Sequence, residues 1–90
     1  MTAKEGLWAF DNKVMVSLEI DPIKNLTTWY ERIIKIGYAL DRNDEKYVEV
    51  VCKDRIANSV TVTPVSEVRF AKKEDEERCH RELGAQGAQL

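Results

Sequence analysis

Between Lys13 and Phe70 the side chains alternate between apolar and polar in short runs separated by turn-forming residues, and this period-two pattern limits the fold more than any other feature of the chain. In 13–20, KVMVSLEI, Val14, Val16, Leu18 and Ile20 share one face, and Lys13, Ser17 and Glu19 lie on the other. Asp21-Pro22 closes that run because proline lacks the amide donor a ladder uses, and 21–28 reads as a loop. A second strand is expected from Trp29 to Leu40, with Ile34, Ile36, Tyr38 and Leu40 in one row with Arg32, and with Ile33 and Lys35 opposite. A helix over 26–40 competes, since Leu26, Tyr30, Ile33, Ile34 and Gly37 also suit a spacing of three and four. The aromatic and β-branched content favours the strand, as does the roughly 1 kcal/mol that Gly37 costs a helix.

The charged stretch Asp41–Glu45 is a turn by composition. Strand three is expected at 46–53, with Val48, Val50 and Cys52 on one side and Tyr47, Glu49, Val51 and Lys53 on the other. A short strand at 59–63 ends at Pro64, and 66–70 supplies a last one with Val68 and Phe70 inward. Five short antiparallel strands in 90 residues predict a mainly β domain, a small five-stranded SH3-like barrel. The acid-before-base pairs Glu74–Arg78 and Glu77–Arg81 predict a C-terminal helix over 71–83, with Cys79 and Leu83 as its apolar stripe and Gly84 as its stop. The expected organisation is a flexible 1–7, a single domain over 8–83 and a disordered tail at 84–90.

Formal net charge is −2, which disfavours nucleic acid as the main partner and leaves at most weak binding through a patch such as Lys35, Arg42, Lys46, Lys53 and Arg55. Cys52, Cys79 and the single His80 lack the spacing of a metal site, so free thiols in a reducing compartment are expected, with no cofactor. MTAKEGLWAF lacks the apolar stretch of a secretory signal, and no run has transmembrane length, so no membrane partner is expected. No Gly-rich phosphate loop, Ser/His/Asp set or carboxylate pair is visible, and a non-catalytic role follows.

Once the strands are laid out, VMVSLEIDPIKNLTTWYERIIKI resembles the start of the chromo-barrel domain of the MRG and male-specific-lethal chromatin families. Trp29-Tyr30-Glu31-Arg32 is similar to their entry into strand two, Lys46-Tyr47-Val48 to strand three, and Pro64-Val65-Ser66-Glu67-Val68 to their closing Pro-x-Ser-x-Val. EDEERCHREL, 74–83, looks like the helix that follows the barrel in the male-specific-lethal branch. The resemblance implies a nuclear, chromatin-associated subunit that docks a histone tail or a partner protein, in its best-known form by caging methylated lysine between aromatic rings. The other cage positions fall near Val51, Asp54, Asn58 and Val62, and only Tyr30 carries an aromatic over.

Five residues therefore stand as candidates for an aromatic rim: Tyr30 and Trp29, which alternate across the strand, Trp8 and Phe10 just before strand one, and Asp54 as a carboxylate for a cationic ligand. Barrel-end packing for the rings and a solvated loop for Asp54 are the plainer roles. A degenerate barrel that serves as a scaffold within a chromatin-modifying complex is the alternative to a reader.

Overall fold

The chain begins with a helix that the strand pattern did not announce. The computed structural model describes residues 1–21, 23–24 and 26–87, with the side chains of 20, 21 and 85–87 set aside. Ala3–Asn12 forms α1, so the expectation of a flexible 1–7 is corrected. Its cause is a capping box. The Glu5 amide donates to Thr2 Oγ1 at 3.2 Å, while the Thr2 amide donates to the Glu5 carboxylate at 2.8 Å, satisfying two amides that a bare helix end leaves open. At the other end Lys13 adopts the left-handed conformation, φ 55° and ψ 41°, and its N–H turns back to the carbonyls of Ala9 and Phe10. Lys13 thus belongs to the helix cap, and the first strand begins three residues later than expected.

The strands are β1 Val16–Asp21, β2 Leu26–Leu40, β3 Lys46–Asp54, β4 Val60–Pro64 and β5 Val68–Phe70, followed by α2, Lys73–Gly87. They form one antiparallel sheet in the order β4-β3-β2-β1-β5: a four-stranded meander whose fifth strand returns beside the first. The expected mainly β, five-stranded, barrel-like domain with a C-terminal helix is what forms. Several boundaries move. Leu26–Thr28, read as loop, pair with β1, while Pro22 and Asn25 of that loop lie outside the described residues. Val65–Glu67, partly assigned to the last strand, makes a single 3₁₀ turn that carries the chain from one sheet edge to the other. The helix α2 runs through Gly84, which keeps a negative φ and so does not cap it; residues 88–90 of the expected tail lie outside the described residues.

β2 is the organising strand. Fifteen residues at ~3.3 Å each would reach roughly 50 Å, longer than the 39 Å maximum extent of the molecule, so the strand must bend. Register shifts between Tyr30 and Arg32 and between Ile33 and Lys35 supply the bend. They also overturn the expected facing of Ile33. Instead of opposing Ile36, it is brought opposite Cys52 on the inner face and is 0% exposed, while Ile34 is left at the surface. The core is built from Val14, Val16 and Leu18, from Tyr30 and Ile33, from Val50 and Cys52, and from Val65 and Val68. Trp8 and Ala9 of α1 close it, and Cys79 and Leu83 of α2 pack behind them. Gly6 allows α1 to lie this close: a Cβ there would stand 2.5 Å from Val65 Cγ2.

Candidate binding surface

The structure separates the five candidate residues. Tyr30 is buried at 7% exposure, and its phenol oxygen accepts a hydrogen bond from the Thr61 hydroxyl at 3.2 Å. Trp29, next in the strand, points to the outer face, half exposed, with Ser17 of β1 as its cross-strand partner. Ser17 is buried although it lies on the outer face, flanked in register by Trp29 and by Arg69 of β5. Trp8 is buried in α1, edge-on to Phe70 with ring centroids 6.1 Å apart, and the Arg78 guanidinium sits 4.9 Å from its ring centroid. Its indole N–H, also buried, has no partner among the described residues. Phe10 is partly buried against the same core. Asp54 pairs with Tyr30 in register, but its carboxylate accepts the amides of Ile56 and Ala57 at 2.8 and 3.0 Å, which hold it below the usual carboxylate range. It serves the β3–β4 turn. These five side chains do not converge into a cage.

A different surface does converge. Beyond the bulges, the inner-face row of β2 continues as Ile36, Tyr38 and Leu40, paired with Val50, Val48 and Lys46 of β3. The core ends near Ile36 and Val48, so Tyr38 and Leu40 stand 72% and 63% exposed on a face that is buried further back. One wall of the resulting groove is α1, where Leu7 points outward at 50% exposure while Gly6, Trp8 and Ala9 point in. Ala3, Lys4, Leu7, Ile36, Gly37, Tyr38 and Val48 enclose an open, mostly apolar cleft of about 280 Å³. Gly37 contributes backbone only: its alternate position, in register with Glu49, faces the other side of the sheet, where an added Cβ would meet nothing within 4 Å. The charge at this cleft is positive: Lys4 is among its walls, and Lys46 Nζ lies 4.2 Å above the Tyr38 ring.

The signals for this groove were present but divided. The spacing of Thr2 and Glu5 ahead of Leu7, Trp8 and Phe10 is a capping-box signature, and with α1 recognised, Leu7 falls on the helix flank away from Trp8. Tyr38 and Leu40 lie on the strand row that alternation predicts, but nothing local tells where the core behind that row stops.

The remaining reactive groups are engaged elsewhere. Cys52 and Cys79 are free thiols and fully buried, and burial pushes the Cys52 thiol up to about 11. His80 lies 2.7 Å from the Glu5 carboxylate at the surface, bracing α2 against the start of α1. Lys53 of the weak basic patch pairs with Glu31 at 3.5 Å. Among the described residues no three His, Cys, Asp or Glu side chains gather to hold a metal, and no helix is long and apolar enough to cross a membrane. No family model, curated protein or solved structure matches the chain.

Proposed function

We propose that this chain is a non-catalytic protein-binding module that docks an apolar segment of a partner protein, flanked by acidic residues, in the groove between α1 and the β2–β3 hairpin. The observation that carries this reading is the exposure of Tyr38 and Leu7 around one apolar cleft, on a molecule whose Trp8 and Tyr30 rings are core and whose Phe10 and Phe70 rings pack against it. Lys4 and Lys46 at the cleft favour carboxylates beside the apolar anchors and oppose a basic histone tail. The burial of Tyr30 and Trp8, and the turn role of Asp54, count against a methyl-lysine cage at the rim. Placement in a nuclear, chromatin-modifying assembly belongs to the same proposal, supported by the sequence resemblance to chromo-barrel domains. In that setting the chain acts as an interaction or scaffold subunit.

The test is a nuclear magnetic resonance titration with two peptide sets: apolar segments flanked by Asp and Glu, and the same segments flanked by Lys, some of them trimethylated. Saturable binding of the acidic set, with shifts centred on Leu7, Ile36, Gly37, Tyr38 and Val48, is the expected result. Preferential binding of methylated peptides, with shifts centred on Tyr30 and Asp54, refutes the groove and restores the rim.

A further inference from the structure

The second unpartnered surface is the free edge of β4. Residues 56–66, IANSVTVTPVS, contain no charged side chain in a sequence that is 33% charged overall. Edge strands ordinarily carry charges that keep other strands away, and this one carries none. Among the described residues β4 is paired on one side only, to β3, and Val60 and Val62 stand 55% and 56% exposed on its outer face.

The backbone orientation of this edge follows from one bond. The Asp54 amide donates to the Ser59 carbonyl at 3.0 Å, which makes Asp54–Ser59 a hydrogen-bonded pair of the antiparallel ladder. Such pairs alternate, so Thr61 and Thr63 also turn their amides and carbonyls toward β3, while Val60, Val62 and Pro64 turn theirs toward the free edge. Pro64 thereby occupies a position where β3 requires no donor.

We propose that β4 pairs antiparallel with β4 of a second copy, about a twofold axis through Val62, joining two five-stranded sheets into one. The strand VTVTP reads almost the same in both directions about its centre. Val62 then exchanges two backbone bonds with its counterpart, and each Val60 amide meets the other copy's Pro64 carbonyl. The central row on the outer face becomes Val51, Val62, Val62 and Val51, an unbroken line of β-branched side chains. The rows on either side run Lys53, Val60, Pro64 and Glu49, so each ends in charges of opposite sign and no like charges meet. On the inner face Thr61 stands opposite Thr63. This contact is isologous and closes on itself, as a twofold dimer requires.

Because Val62 faces its own copy, the register has a specific test. Sedimentation equilibrium of the 90-residue chain is expected to show a monomer–dimer equilibrium. V62K and V62E should each sediment as monomers, and an equal mixture of the two should recover the dimer. Circular dichroism melts establish that each variant folds. Amide hydrogen exchange at Val62 in the unmodified chain gives a second reading: protection at high concentration that is lost on dilution. A chain that stays monomeric up to millimolar concentration, a V62K variant that still dimerises, or a mixture that remains monomeric overturns the proposal. So does a monomeric chain whose β4 edge instead takes up an extended peptide from another protein.

Discussion

Two tyrosines eight residues apart on β2 have opposite fates. Tyr30 stands where β1, β2 and β3 all meet, 7% exposed, its hydroxyl bonded to Thr61. Tyr38 stands beyond the reach of β1, paired only with β3, and is 72% exposed under the Lys46 ammonium. The same strand therefore closes one end of the barrel and leaves an apolar wall open at the other. What separates them is coverage by neighbouring elements, since α1 crosses β2 near Ile36 and ends the core there.

If the closed end is the stabilising one, truncation there should cost most. Ile33→Ala, at a fully enclosed position, is expected to lose about 2–5 kcal/mol in a urea titration. A loss below about 1 kcal/mol would mean the bulge does not place Ile33 in the core. Next is the seam between the two ends. Gly6→Ala places a methyl against the stiff, buried Val65 side chain and should destabilise by about 1–3 kcal/mol, despite the helix propensity it adds. Gly84→Ala, in open space on α2, should stabilise by up to about 1 kcal/mol. Opposite signs for these two glycines would confirm the close approach of α1; equal signs would contradict it.

The smaller effects sharpen the contrast. Tyr30→Phe removes only the hydroxyl bonded to Thr61 and should cost about 0.5–1.5 kcal/mol, whereas Tyr38→Ala should change stability by less than about 0.5 kcal/mol while abolishing peptide binding. Glu5 gives a pH reading. Burial opposes its charge, but the Thr2 amide, His80 and the Thr2 hydroxyl outweigh that and leave its carboxyl below the ordinary value. A depressed carboxylate stabilises fully above its unfolded-state pKa, and this contribution disappears as pH falls through the lower folded-state value. Glu5→Gln should therefore lose stability at neutral pH and flatten the acid limb of the stability curve. Both thiols should resist iodoacetamide in the native state at neutral pH and react on unfolding, by mass spectrometry.

The strands were legible because β1, β3 and β4 have one solvated face, and alternation reports that directly. The facing of Ile33 was not, because a bulge shifts the register without any marker residue such as glycine. The helix α1 is not announced by alternation, since Trp8 and Phe10 sit just before the first strand; its start signal lies in Thr2 and Glu5. Missing α1 also concealed the groove, since half its wall comes from that helix. The dispersal of the rim candidates was not legible for a related reason: the resemblance points to Tyr30, but its buried hydroxyl is bonded to Thr61, a residue of β4 far away in sequence.

The most direct test of an open, apolar, cationic groove uses a probe of matching chemistry, the apolar anion anilinonaphthalene sulfonate, added to the folded chain and followed by fluorescence and amide shifts. Saturable binding that perturbs Leu7, Ile36, Gly37, Tyr38 and Val48, and that disappears in Tyr38→Ala while the melting curve is unchanged, is the predicted outcome. Shifts confined to the neighbourhood of Tyr30 and Asp54, or binding that survives loss of the Tyr38 ring, would contradict it.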